Sequence, residues 1–153
     1  MSIRDDLSTS LKEALKNKDQ VSMSTIRLIT AAIKDRDIAA RSNGNSEGIG
    51  EPEILSLLQS MVKQRQESSK TYRDADREEL AEREEQEITV IEKFLPQQMS
   101  EDDMSKAIEE IIAEVGAQDI KDMGKVMGEL KSRYAGQLDM AKAGGAVKAK
   151  LAG

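Results

Sequence analysis

Six residues near the C-terminus have types and spacing suited to chemistry on a phosphate: Lys121, Gly124, Lys125, Gly128, Lys131 and Arg133. On a helical wheel, Met123, Val126, Met127, Leu130 and Tyr134 share one side, which is the core side. Lys121, Gly124, Lys125, Gly128 and Ser132 fall opposite. A glycine inside a helix costs about 1 kcal/mol relative to alanine. Two on one face imply that something comes close to a bare backbone. Lysines beside that backbone suit a phosphate-bearing partner, and Lys131 and Arg133 add positive charge nearby. Three readings stay open: another helix packs on the glycines, an RNA backbone lies there, or a protein partner does. Tyr134 is the only aromatic residue in this segment and belongs to the core side of the wheel. RNA contact would then rest on shape and backbone rather than on stacking.

A second constellation lies upstream. One apolar stripe reads Ile54, Leu58, Met61, Arg65, Ser68, Tyr72; the next reads Leu80, Glu84, Glu87, Ile91, Phe94. If the chain folds back near Asp76, facing residues have numbers summing to about 152. Met61 then meets Ile91, Arg65 meets Glu87, Ser68 meets Glu84 and Tyr72 meets Leu80. Arg65–Glu87 is read as a structural ion pair that sets helix register. A catalytic or metal role for it would need further ligands that the sequence does not supply.

The absences bound the rest. The chain of 153 residues has no cysteine and no histidine. Thiolate chemistry, disulfides, and the commonest general base and metal ligand are excluded. The glycine-rich segment 44–50 lacks a Walker lysine and a preceding strand. No nucleophile with an adjacent base stands out, as an amidase would need. No catalytic residue, metal ligand or cofactor is expected.

These residues must be held by helices. Aromatics are only 2% of the chain and methionines number eight, so the core is aliphatic and Met-containing. The periodicity predicts helices over 3–16, 19–41, 52–74, 76–95, 101–115, 121–134 and 139–151. The joint is Phe94-Leu95-Pro96-Gln97-Gln98-Met99-Ser100. Proline stops the preceding helix near Leu95, and Ser100 caps the next, with Glu101, Asp102 and Asp103 in its first turn. The predicted fold is all-α: a four-helix bundle over 1–96, then a small three-helix bundle over 97–153.

Net charge is −6, which argues against indiscriminate nucleic-acid binding. Residues 120–153 nonetheless carry three acids and seven bases, so only this tail is attractive to a polyanion. No apolar run approaches the ~20 residues of a membrane span, and Met1–Asp6 lacks a signal-peptide core. The chain reads as cytoplasmic, with no membrane partner.

Together the motifs carry a resemblance. Ile26-Arg27-Leu28-Ile29-Thr30-Ala31-Ala32-Ile33-Lys34, Lys63-Gln64-Arg65, then Arg77, Leu80, Glu84 and Glu87 recur in order. They are followed by the Phe94–Ser100 joint, Asp122-Met123-Gly124-Lys125-Val126-Met127-Gly128, Gly136, Asp139, Val147-Lys148 and Leu151. In these features the chain resembles the YqeY-like proteins of the GatB/YqeY family. The resemblance implies two helical modules and kinship with the tail of the tRNA-dependent amidotransferase B subunit. It implies tRNA as partner, with an aminoacyl-tRNA or amidotransferase-complex protein as a further one, and Gly124, Lys125 and Gly128 as matched contact positions. It also implies an inherited label of carbon–nitrogen ligase with glutamine as amide donor. The cradle that performs that reaction lies elsewhere in the larger relative, so the expected role is an accessory module. The alternative is a protein–protein interaction adaptor.

Overall fold

The computed structural model describes residues 2–152, and every regular element among them is helical. The helices are α1 Ile3–Asn17, α2 Gln20–Ser42, α3 Glu51–Asp74, α4 Glu78–Glu92, α5 Glu101–Val115, α6 Met123–Arg133 and α7 Met140–Ala152. A 3-10 turn, Ile120–Asp122, leads into α6. The chain divides into two compact units, Met1–Pro96 and Gln97–Gly153.

Local chemistry sets the ends. Ser2 Oγ accepts from Asp5 N–H, Asp19 Oδ1 from Ser22 N–H and Ser100 Oγ from Asp103 N–H, each at 3.1 Å. These side chains satisfy amide donors that the first helical turn leaves free. Asp139 Oδ1 does the same for α7, taking Ala141 N–H at 2.9 Å. Gly116 closes α5 at φ +69°, a left-handed conformation that glycine adopts at no steric cost.

In the first unit α1 packs on α2, α2 on α4, and α3 on α4. Ile26, Ile29, Ile54, Leu58 and Ile91 are buried to 2% exposure or less. In α1, Ile3, Leu7, Leu11 and Leu15 recur at helical spacing, but the buried stripe is shorter than that spacing implies. Ile3 and Leu7 are buried, but Leu15 stands 49% exposed and Ala14 takes the core position.

Helix α4 spans fewer residues than the 76–95 expected. Asp76 adopts φ +58° to reverse the chain. At the far end, Lys93, Phe94 and Leu95 N–H groups bond to Val90, Ile91 and Glu92 carbonyls. This i→i−3 tightening ends the regular helix before Pro96. The α3–α4 register also departs from the simple sum: Leu80 is exposed and Ala81 is buried. Ser69, not Ser68, is buried, and its hydroxyl donates to Glu85 Oε1 at 3.2 Å.

In the second unit α6 packs on α5 and α7. Ile108, Ile111, Val126, Leu130 and Val147 have no exposed surface. Gly144 of α7 sits where an added Cβ would lie 3.8 Å from the methyls of Met123 and Met127. That is ordinary van der Waals contact, so α7 faces the Met123 and Met127 side chains of α6 at this point.

Candidate nucleic-acid interface

Helix α6 buries Val126 and Leu130, while Met123, Met127 and Tyr134 are half-buried. Lys121, Gly124, Lys125, Gly128 and Lys131 are exposed. Nothing lies within 4 Å of where a Cβ on Gly124 or Gly128 would stand. No helix of this chain packs on those glycines among the described residues. Lys121, Lys125 and Lys131 form no ion pair among the described residues. Their ammonium groups project from the surface without a carboxylate within 4 Å.

Arg133 is placed differently. Its guanidinium donates to Glu114 Oε2 at 2.5 Å and to Glu129 Oε2 at 3.0 Å. These carboxylates raise the Arg133 pKa, and Arg133 in turn holds Glu114 below the usual carboxylate range. The side chain is committed to Glu114 of α5 and Glu129 of α6 rather than standing unpaired like the lysines. The structure therefore brings together five of the six expected residues.

Sequence reasoning missed a neighbouring feature. Tyr134 packs against the second unit's core, as the wheel predicts, and it also lines an open cleft with the α5 face and the segment after Pro96. The cleft exists because Met99 N–H donates to Gln137 O at 3.0 Å and Gln98 Nε2 to Gly136 O at 2.6 Å. These bonds join residues 38 apart, and no local periodicity signals them.

In the first unit, Arg65 Nε donates to Glu87 Oε2 at 3.0 Å and Arg65 NH1 to Met61 O at 3.2 Å. The side chains of the pair are 14% and 13% exposed. Glu84 lies one helical turn from Glu87. Desolvation raises its pKa, with repulsion from Glu87 adding to the effect. A half-buried pair with a second carboxylate nearby ties α3 to α4 in one register.

The described residues thus form an all-helical protein that exposes a bare, lysine-edged helix. The family model described as Yqey-like protein matches residues 4–151, and the chain belongs to the YqeY-like family. Curated relatives carry the name "Altered inheritance of mitochondria protein 41, mitochondrial". The Candida glabrata protein is 35% identical over 106 residues, covering 67% of this chain and 57% of its own length. The Clavispora lusitaniae protein is 30% identical over 115 residues, covering 74% and 64%. The Vanderwaltozyma polyspora protein is 32% identical over 89 residues, covering 58% and 46%. The chain thus spans roughly half to two thirds of the length of these relatives.

Their names correct one expectation. The cytoplasmic reading rested on missing cysteines and a missing apolar leader, and the relatives are named as mitochondrial proteins. Neither absence distinguishes one reducing compartment from another, so the cytoplasmic assignment is withdrawn. No helix among the described residues is long and apolar enough to cross a membrane.

Proposed function

We propose that this chain is a non-catalytic accessory module of tRNA-dependent amidation or aminoacylation that holds tRNA by its phosphate backbone along α6. In this reading the first unit is a four-helix bundle serving as scaffold and the second a three-helix bundle carrying the contact surface. The supporting observation is the open space over Gly124 and Gly128, flanked by Lys121, Lys125 and Lys131. Bare backbone allows a phosphate to approach closely, and free ammonium groups supply the charge. The acidic first turn of α5 (Glu101, Asp102, Asp103) repels phosphate, which favours α6 for the backbone contacts. The carbon–nitrogen ligase chemistry suggested by the family resemblance stays with the larger relative.

The test is tRNA affinity measured by anisotropy across a salt series. Log affinity against log salt should fall with a slope near −0.9 per phosphate neutralised. The double variant Lys121→Glu, Lys125→Glu should abolish binding, with helicity unchanged. Wild-type affinity in that variant would overturn α6 as the contact.

A further inference from the structure

We propose that the cleft beside Tyr134 receives a single unpaired nucleobase of the bound RNA. The inference rests on the RNA reading of α6 and adds a base-recognising element to it. The cleft has a volume of about 370 Å³, near the lower end of the ~300–1,000 Å³ range of small-ligand sites. That suits one nucleoside-sized group rather than a folded partner.

Its lining matches a base better than a phosphate. The Tyr134 ring offers a stacking surface. Gln97 and Gln137 bring carboxamides, each with a donor and an acceptor side by side. That pairing meets base edges, as glutamine does with adenine. Neither carboxamide, nor the Tyr134 hydroxyl, has a side-chain hydrogen bond among the described residues. Asp103, Lys106 and Glu110 stand on the α5 wall. The two carboxylates outnumber the one ammonium, so the wall disfavours phosphate, and they accept hydrogen bonds from an exocyclic amino group.

The walls are tied before any ligand arrives, by Met99 N–H to Gln137 O and Gln98 Nε2 to Gly136 O. Preformed walls lower the ordering cost of binding. Lys131 precedes Tyr134 by three residues, about 4.5 Å along the helix axis at 1.5 Å per residue. A backbone held at Lys131 therefore delivers an adjacent base to the cleft.

The chain has two tyrosines and no tryptophan, so Tyr72→Phe leaves Tyr134 as the only tyrosine ring in an NMR spectrum. That variant should be titrated with tRNA and, separately, with inorganic polyphosphate, a polyanion without bases. A stacked base should move the Tyr134 ring protons upfield with tRNA; polyphosphate should bind without that shift. Tyr134→Leu should weaken tRNA about tenfold or more and Gln137→Ala several-fold, with polyphosphate affinity unchanged in both. Gln137→Ala removes no core side chain, so it keeps the test valid if Tyr134→Leu folds poorly. If tRNA binds with unmoved Tyr134 signals and Gln137→Ala keeps full affinity, the cleft assignment is overturned and the α6 reading survives. Failure of the full chain to bind tRNA at all overturns both.

Discussion

Arg4 and Asp37 meet as a two-pronged pair, NH1 to Oδ2 at 3.0 Å and NH2 to Oδ1 at 2.9 Å, linking α1 to α2. The same groups hold the α2–α3 loop. Arg4 NH2 also donates to Ile49 O at 3.0 Å, and Asp37 Oδ1 accepts Ile49 N–H at 2.8 Å. Ile49 is thereby placed in the core at 5% exposure. The hydrogen bonds from Arg4, with that from Ile49 N–H, lower the Asp37 pKa to about 2.

A folded-state pKa below the unfolded value of ~3.9 means that Asp37 binds its proton more weakly when the chain is folded. Its contribution is present above pH ~4 and is lost as pH falls toward 2. Asp37→Asn should lower the melting temperature at neutral pH and flatten its fall between about pH 4 and 2. Thermal melts of the two proteins across that range measure it; parallel curves would contradict the assignment.

Gly48 sits at φ +92°, and a Cβ there would stand 2.7 Å from Asp37 Oδ1. Gly48→Ala should destabilise by both backbone strain and displacement of the Arg4–Asp37 pair. We expect at least ~1 kcal/mol by chemical denaturation. Gly44, also left-handed at φ +90° but with nothing nearby, should lose less on the same substitution.

Glu87→Gln should destabilise by about 1.5–3 kcal/mol, because Arg65 keeps a half-buried charge with a weaker acceptor. Glu84→Gln should do the opposite at neutral pH. Glu84 has a raised folded pKa, so its stability contribution falls as pH rises above the unfolded value. The gain from Glu84→Gln should vanish below about pH 4, where glutamate is protonated in both states. Denaturation midpoints at pH 7 and pH 4 separate these effects.

Gly124→Ala with Gly128→Ala should raise stability by roughly 1 kcal/mol per site, because alanine favours the helix and meets nothing. Under the proposed function the same pair should weaken tRNA, since two methyls then stand between backbone and phosphate. A more stable variant with unchanged affinity would argue against close backbone approach.

Thr25 is fully buried, and its hydroxyl has no hydrogen-bond partner among the described residues. Replacing it with valine removes an unsatisfied group at nearly constant volume. Thr25→Val should stabilise by about 1 kcal/mol, read as a shift in melting temperature.

Much of the helical order was legible from residue spacing. Met23, Ile26, Ile29 and Ile33 recur at helical intervals and are all buried. Ser100 and Asp19 cap helices through bonds spanning three residues, and short-range chemistry of this kind is written in adjacent letters. The resemblance to the YqeY-like family was legible in the same way, from ordered motifs. Other features depended on partners far apart along the chain. Periodicity marks Arg133 as one more cation beside Lys131, yet Glu114, nineteen residues earlier, draws it to α5. The wheel puts Tyr134 in the core, while the distant pairing of Met99 with Gln137 opens a cleft against it. Leu15 continues an apolar stripe but stays 49% exposed. Helix-forming tendency and capping act over about four residues, so the linear order determined where helices run and which faces are apolar. Which charges stay free, and where a cleft opens, came only from packing, because each depends on groups that meet after the chain has folded back.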